Sequence, residues 1–445
     1  GQVSHKQMKL EGKIVDVVSG RVFPGKVIVD NGVIADVIED ASVSCATYIL
    51  PGFVDAHVHI ESSMLAPVEF ARVASIHGTV ATVSDPHEIA NVLGLEGVKW
   101  MIDNASSSAF KFFFGCPSCV PATPFETAGA RFGVDEVNEL LDTKGIYYLA
   151  EVMNFPAVLG RDPAMMGIID AALKKNMPVD GHSPGLIGED LKKYASAGIQ
   201  TDHECANINE GAQRIALGMK VAIREGSAAR NFEALWPLLK SNPGNCFFCS
   251  DDKHPDDLVV SHIDDLLRRS VANGIDAMDA LRAATMNPVN HYGLTVGLLQ
   301  KGDPADIVTV NNLSEFKVKR CWIDGMLLAD EGKPLGEKFE SIPINRFNVS
   351  PKKPDDFKLK ASGENVRVIV AEDGHPVTGS ETMPPKKEGN LAVSDIDRDL
   401  LKITVVNRYN DTNPIVGFIR NFGLKSSAIA STVAHDSHNI VAVGV

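Results

Sequence analysis

The sequence alternates, over residues 51–290, between short apolar runs and segments with helical spacing. The apolar runs are PGFVDAHVH (51–59), GTVATVSD (78–85), FKFFFGCPSCV (110–120), IYYLAEVMN (146–154), MPVDGHS (177–183), IQTDHE (199–204), MKVAIREGS (219–227) and NCFFCSDD (245–252). Eight strands that alternate with helices are the pattern of a (β/α)8 barrel of the TIM type. An open doubly wound sheet is the alternative, and it would spread the ends of the strands along an edge.

Most of these runs end in a side chain that can bind a metal or transfer a proton. In a (β/α)8 barrel such strand ends surround one mouth. We therefore expect them to converge, and the candidate metal ligands are His57, His59, Glu151, His182, His203 and Asp251. Each histidine has an ordinary explanation by itself, as a core or surface residue. Their repeated position at strand ends favours a common site.

Four imidazoles and two carboxylates exceed what one tetrahedral ion needs. They suit two adjacent divalent ions of the Fe, Mn or Zn type. Two ions would lower the pKa of a shared water, so metal-assisted hydrolysis is the reaction class that the residues indicate. The adjacent carboxylates of Asp251 and Asp252 leave two choices for the last ligand.

The segments that flank the alternating region predict further domains. Residues 1–50 and 291–330 carry short β-branched runs broken by turns such as Asn31-Gly32, and we interpret them as one composite small β-sandwich module. Residues 331–362 are interpreted as a linker, and residues 363–445 as a C-terminal α+β domain.

Charge and composition exclude several classes of partner. The formal net charge is −14, without a dense basic run, so we expect no nucleic acid. The apolar runs are too short to span a membrane, and seven scattered cysteines favour a reduced, cytoplasmic setting. A zinc deaminase of the cytidine type would need a proline before its C-x-x-C pair. Here Pro117 lies between Cys116 and Cys119, so we reject that class.

Several motifs together resemble the bacterial and archaeal adenine deaminases of the amidohydrolase superfamily. They are PGFVDAHVHIESSM (51–64), SDPHEIANVLGLEG (84–97), PSCVPATPFETAGA (117–130), LAEVMNFPAVL (149–159), DGHSPGL (180–186), DHE (202–204), IREGSAARN (223–231), SDDKHPDDL (250–258) and AHDSHNIV (434–441). The resemblance implies a barrel, a β module, a C-terminal domain and a binuclear centre of Mn or Fe, with Zn as a further choice. It also implies hydrolysis of adenine to hypoxanthine and ammonia.

The resemblance also implies roles for single residues. His57 and His59 would hold one ion, His182 and His203 the second, and Glu151 would bridge them. Asp251 would take a proton from a bridging hydroxide that attacks C6 of adenine and pass it to the leaving amine.

The remaining candidates have less specific roles. Glu204, or Asp85 with His87, would protonate a ring nitrogen. Adenine would be bound by Glu61, Arg224, Glu225 and Ser227. A strand-end Arg-Glu pair is equally often structural.

Two other functions stay open at this point. A cyclic amide hydrolase on the same barrel is one, although such relatives commonly have a lysine where this chain has Glu151. The other is an inactive, truncated metal-binding relative, because family members continue beyond the position of Val445. We expect a homo-oligomer, with a dimer as the favoured state.

Overall fold

A computed structural model describes residues 7–445, which divide into two compact units. The first unit extends to His87 and includes Val98–Cys119 and Phe132–Ile342. The second comprises Glu88–Gly97, Val120–Arg131 and Pro343–Val445. Among residues 7–445, no helix combines the length and the apolar character needed to span a bilayer.

The first unit contains sixteen of the described strands. They are β1 (Gln7–Asp16), β2 (Arg21–Asp30), β3 (Val33–Glu39), β4 (Tyr48–Pro51), β5 (Phe53–Val58), β6 (Thr79–Ser84), β7 (Lys111–Cys116), β8 (Ile146–Val152), β9 (Val179–Gly181), β10 (Thr201–Asp202), β11 (Lys220–Arg224), β12 (Cys246–Cys249), β13 (Ile307–Val310), β14 (Val318–Ile323), β15 (Met326–Asp330) and β16 (Lys333–Pro334).

The described helices lie between strands β5 and β13. They are α1 (Pro67–Ile76), α2 (His87–Ala105), α3 (Val134–Leu141), α4 (Phe155–Leu159), α5 (Pro163–Lys174), α6 (Gly188–Ala195), α7 (Ile208–Ala216), α8 (Phe232–Leu235), α9 (Leu238–Ser241), α10 (Pro255–Leu258), α11 (Ile263–Ala272), α12 (Ala277–Ala284) and α13 (Met286–Tyr292). Short 3-10 turns span Ile60–Ser63, Pro243–Asn245 and Pro354–Phe357. The second unit shares α2, through Glu88–Gly97.

Strands β5 to β12 occupy the eight apolar runs of the sequence and pair only in parallel. One sheet has the order β5-β6-β7-β8-β9 and a second has the order β10-β11-β12. Every residue of β5, β6 and β12 is buried, as expected for parallel strands that are covered on both faces. The result is a mixed α/β fold with parallel strands, and the predicted positions of the eight strands are confirmed.

A short bridge joins the end of the first strand of this series to the end of the last. Val58 pairs in parallel with Asp251, just beyond β12. The amide of Asp251 donates to the carbonyl of His57 at 2.8 Å, and the amide of His59 donates to the carbonyl of Asp251 at 3.0 Å. Residues 194 positions apart are thereby fixed in register.

A separate eight-stranded sheet draws on both flanks of the parallel region. Its order is β16-β15-β14-β13-β4-β1-β2-β3, and Ile14, Ile34, Ile307 and Trp322 share one buried core. The turn at Asn31 and Gly32, with φ of 51° and 78°, joins β2 and β3 as the Asn-Gly hairpin predicted from the sequence.

The second unit contributes nine strands, which form two sheets. They are β17 (Leu359–Lys360), β18 (Val366–Val370), β19 (Gly379–Met383), β20 (Lys386–Glu388), β21 (Leu391–Val393), β22 (Leu401–Val406), β23 (Ile415–Arg420), β24 (Ala428–Ser431) and β25 (Ile440–Gly444). The sheet orders are β17-β21-β20 and β19-β18-β23-β22-β25-β24.

The α+β class expected for residues 363–445 is wrong. Residues 363–445, all of them described, contain strands and no α-helix, so they are not an α+β domain. Their short β-branched runs, separated by Gly, Pro and Asp, favour hairpins over helices. Within residues 331–362, β16 extends the eight-stranded sheet and β17 begins the three-stranded one, and the prediction of a linker stays a prediction.

A buried ion pair positions two loops that each carry one candidate ligand. The guanidinium of Arg214, in α7, contacts the carboxylate of Asp202 at the end of β10, and both residues have zero exposure. Asp202 also accepts from the amides of Ser183 at 3.3 Å and Glu204 at 3.0 Å. Burial would raise the pKa of Asp202, but Arg214 outweighs it and lowers that pKa. Asp202 therefore stays ionised and holds the residues next to His182 and His203.

Replacing Arg214 by Met should destabilise the first unit by about 3–5 kcal/mol, because it leaves the Asp202 carboxylate buried without its counter-charge. The measurement is the free energy of unfolding in urea. Lys175→Met, at the exposed Lys175–Asp142 pair, is the control and should change stability by less than ~1 kcal/mol. Equal stabilities of the two variants would contradict this account.

Candidate metal centre

The ends of five parallel strands bring the six predicted metal ligands together. His57 and His59 belong to the end of β5, Glu151 lies in β8, His182 follows β9, His203 follows β10 and Asp251 follows β12. All but His182 are at most 4% exposed.

Glu151 lies at the centre of this cluster. Its Oε2 atom is 2.9 Å from Nε2 of His203, 3.1 Å from Nε2 of His57 and 3.9 Å from Nδ1 of His182. Its Oε1 atom is 3.8 Å from Nε2 of His59. Within residues 7–445, Oε2 makes no hydrogen bond of good geometry despite these neighbours. One carboxylate thus faces imidazoles from three strand ends.

Asp251 faces the two histidines of the first strand. Its Oδ1 atom is 3.1 Å from Nε2 of His57 and 3.2 Å from Nε2 of His59. Its backbone φ is +56°, in the left-handed region, where strained non-glycine residues cluster at functional sites. Asp252 instead accepts a hydrogen bond from Oγ of Ser62 at 2.5 Å. Asp251 thus contacts both imidazoles of the first strand, and its choice over Asp252 as a ligand stays a prediction.

A backbone contact sets the tautomer of His59. Its Nδ1 atom lies 3.0 Å from the carbonyl oxygen of Asp85, which can only accept. Nδ1 therefore carries a proton, and Nε2 is the nitrogen that faces Asp251 and Glu151. Metal-binding histidines are commonly oriented in this way.

The carboxylates and the imidazoles of the cluster shift one another's pKa values. Burial and the neighbouring His203 would lower the pKa of His57, but Glu151 and Asp251 raise that pKa to about 10. Burial would raise the pKa of Glu151, but His203 and His57 hold it well below its usual value. The carboxylates are therefore ionised and draw cations towards them.

Divalent ions fit this donor set. His59, Asp85, His87 and Glu151 form one group that could hold an ion, His57, Glu151 and His203 form another, and His57, His59 and Asp251 form a third. Imidazole and carboxylate donors in groups of three or four suit Zn, Fe and Mn. Because Glu151 belongs to two of the groups, it is suited to contact more than one ion.

Asp55 holds two segments of the centre together, and it was not among the site residues predicted from the sequence. It has zero exposure and accepts from the amides of Ser250 at 3.0 Å and His57 at 3.3 Å. It also lies 2.7 Å from Nε2 of His262. Asp55 thus ties β5 to the segment that carries Asp251. An acid two residues before His57, inside an apolar strand, was the available signal.

Arg224 contacts acids of the centre. Its Nη1 atom donates to Oε1 of Glu204 at 2.7 Å and to Oδ2 of Asp251 at 2.8 Å, and its Nη2 atom donates to Oε2 of Glu204 at 2.8 Å. Burial would raise the pKa of Glu204, but contacts with His182 and His203 keep it well below its usual value. An ionised Glu204 accepts hydrogen bonds and is poorly suited to donate a proton.

The other candidate residues lie around the same strand ends. His87 Nδ1 is 3.2 Å from Oδ2 of Asp85. Glu225 pairs with Arg269 at 3.0 Å, and Ser227 donates to Asp257. Glu61 lies in the 3-10 turn after His59. Glu225 and Ser227 thus contact neighbouring protein groups, and their predicted contact with a substrate stays a prediction.

This fold and this donor set are those of a metal-dependent amidohydrolase, and comparison with known families agrees. Residues 48–328 match the amidohydrolase family, to which the chain belongs. Residues 375–445 match the adenine deaminase C-terminal domain.

Curated relatives assign the chain to a particular family of amidohydrolases. It is 51% identical over 436 residues to an adenine deaminase of Salinibacter ruber, and 52% identical over 437 residues to one of Sulfurovum. Each match covers 98% of this chain and 80% of the relative. The chain is a member of the adenine deaminase family, as its motifs indicated.

Solved structures with lower identity share the fold. A β-aspartyl dipeptidase of Fervidobacterium islandicum matches with a TM-score of 0.56 at 16% identity, over 75% of this chain and 100% of that one. An adenosine deaminase of Xanthomonas campestris with bound zinc matches with a TM-score of 0.53 at 17% identity, over 74% and 94% of the two chains.

Glu151→Gln should lose at least half of the metal bound to the chain, because a neutral amide cannot balance the imidazoles and the ions. Metal content after dialysis would be measured by elemental analysis, with circular dichroism to check folding. The control is Glu139→Gln, an exposed acid paired with Lys99 at 2.8 Å, which should keep its metal. Full metal content in folded Glu151→Gln would refute a role for Glu151 in binding.

Proposed function

We propose that this chain hydrolyses adenine to hypoxanthine and ammonia. The observation that carries the proposal is the buried cluster of imidazoles around Glu151 and Asp251, in a chain half identical to proteins named adenine deaminase. The reaction adds water across the C6–amine bond of the purine. A C6–O bond forms, the C6–N bond breaks, and the nitrogen leaves as ammonia.

The barrel prediction extends the observed parallel sheets. In our proposal, strands β5 to β12 close into a (β/α)8 barrel. The parallel bridge from Val58 to Asp251 supports closure on one side, and the hydrogen bond from the amide of Gln200 to the carbonyl of Val179, at 2.9 Å, supports it on the other. The candidate ligands would then surround the mouth at the carboxyl ends of the strands.

Two divalent ions, Mn or Fe with Zn as a third choice, would be held by the six predicted ligands. His57 and His59 would hold one, His182 and His203 the other, and Glu151 would contact both. Such ions would supply a nucleophilic water of lowered pKa and polarise the purine. The short contacts of Glu151 with His57 and His203 support this assignment.

Asp251 is suited to carry the proton. Its Oδ1 atom faces the two histidines of β5, and its Oδ2 atom accepts from Arg224. Arg224 fixes the plane of the carboxylate and favours its ionised form. Asp251 would take a proton from the attacking water and return it to the amine as the C6–N bond breaks.

A second group would place a proton on the purine ring. Asp85 and His87 form a buried pair at the start of α2, and Nδ1 of His87 is also 3.6 Å from Oε1 of Glu151. We assign the protonation of a ring nitrogen to this pair. Glu204, ionised and bound to Arg224, would position Asp251 from the opposite side.

Hydrolysis of a cyclic amide is the less supported alternative. The relatives at 51% and 52% identity are both named adenine deaminase, and the centre has a glutamate at its middle position. These observations favour a purine amine over a hydantoin or a dihydroorotate as the substrate.

The Mn-loaded chain should release one ammonia for each adenine converted to hypoxanthine. The loss of adenine absorbance and the enzymatic detection of ammonia measure this. Hydantoin and dihydroorotate, assayed with the same preparation, should give no product. Turnover of either, without turnover of adenine, would replace this proposal by the alternative.

Asp251→Asn should lower kcat for adenine by about 10²–10⁴-fold, since the amide cannot accept the proton. Asp252→Asn is the matched control at the adjacent position and should lose at least tenfold less. The metal content of both variants is also measured, because a loss of activity could come from the loss of a bound ion and not from the loss of the proton carrier. A larger loss in Asp252→Asn would show that the two acids have been assigned in the wrong order.

A further inference from the structure

A second cluster of metal-binding side chains lies within the second unit. The carboxylate of Glu88, at the start of α2, contacts two histidines of the AHDSHN segment between β24 and β25. Its Oε1 atom is 2.9 Å from Nδ1 of His435, and its Oε2 atom contacts Nε2 of His438. The three candidate donor atoms lie within 4.8 Å of one another.

The position of the proton on His438 determines which of its nitrogens can bind a metal ion beside Glu88. Nδ1 of His438 lies 3.1 Å from the carbonyl oxygen of Thr432, which can only accept a hydrogen bond. Nδ1 therefore carries a proton. When the ring is neutral, the lone pair of Nε2 points at the Oε2 atom of Glu88. Two lone pairs at this separation repel each other unless a proton or a metal ion lies between them.

The segment that carries both histidines is held in place by contacts of its own. The amide of His438 donates to the carbonyl of Ala434 at 2.7 Å, and Asn439 donates to the carbonyl of Thr127 at 3.2 Å. The side chain of Asn439 also accepts from the amide of Arg408 at 3.0 Å. These bonds fix the backbone on either side of His438 before a ligand arrives, as a binding site requires.

The three side chains differ in burial, and this difference suits a metal ion that has one coordination position open to solvent. The side chain of Glu88 is 2% exposed, that of His438 is 9% exposed and that of His435 is 26% exposed. A carboxylate and one imidazole are thus shielded, while the second imidazole reaches solvent. Two histidines with one glutamate, plus a water, form a familiar ligand set of zinc.

The geometry points to a divalent metal site formed by Glu88, His435 and His438, with zinc or a similar first-row ion as its ligand. The ion satisfies the lone pair of His438 and the charge of Glu88 together. It also cross-links the start of α2 to the segment before β25, inside the second unit. This site shares no residue with the six ligands assigned to the strand ends of the first unit.

The test is the zinc content of the full-length chain, stripped with a chelator and then dialysed against Zn²⁺. Glu88→Gln and His438→Gln should each bind one equivalent less than the unmodified chain. His375→Gln is the matched control, because His375 also pairs with a glutamate of the second unit, Glu372, at 3.5 Å in an exposed position. The control should bind the same amount as the unmodified chain.

Anomalous X-ray scattering at the zinc edge, from crystals of the unmodified chain soaked in Zn²⁺, gives a second measurement that needs no variant. A peak between the three side chains supports the site. Unchanged zinc content in both variants would overturn the proposal and leave an ion pair between Glu88 and a protonated His438. Absence of the anomalous peak would overturn it as well, even if the variants fail to fold.

Discussion

The buried carboxylate of Asp55 is the interaction on which the candidate metal centre depends. It accepts from the amides of His57 and Ser250 and contacts the ring of His262, so three distant parts of the chain meet at one side chain. The parallel bridge of Val58 with Asp251 lies beside it. Without this connection, the histidines of the first strand and the aspartate after the last would have no fixed distance. The distances between the candidate ligands therefore depend on the contact between β5 and the segment that follows β12.

The positions of the strands in this region were predicted from the sequence, whereas the side-chain contacts between the strands were not. Strands β5 to β12 lie at the apolar runs because parallel strands buried on both faces need continuous apolar residues. The placement of ligand-type residues at strand ends followed from the same pattern. Asp55 was not predicted, because a single acid in an apolar strand can cap a backbone or pair with a cation, and the sequence does not distinguish these roles. Asp251 could not be separated from Asp252, since that choice rests on the left-handed backbone at Asp251.

Charges paired across the fold were the least predictable feature. The guanidinium of Arg224 contacts Glu204 and Asp251, whereas its predicted contact with a substrate stays a prediction. The cluster of Glu88 with His435 and His438 joins residues 350 positions apart, which no local pattern indicates. The helices expected over residues 363–445 failed for a different reason. The α+β class was wrong because the short β-branched runs there, separated by Gly, Pro and Asp, favour strands.

The contact between His57 and Asp251 also has a consequence for how the chain is synthesised. At about 5–20 residues per second, ten to forty seconds pass on the ribosome between the emergence of one residue and that of the other. During this interval the strand that carries His57 has no partner at its open edge. Unpaired apolar strands of this kind are prone to aggregate and are substrates for chaperones. The same long-range pairing that defines the centre thus makes the newly made chain vulnerable until its last parallel strand is complete.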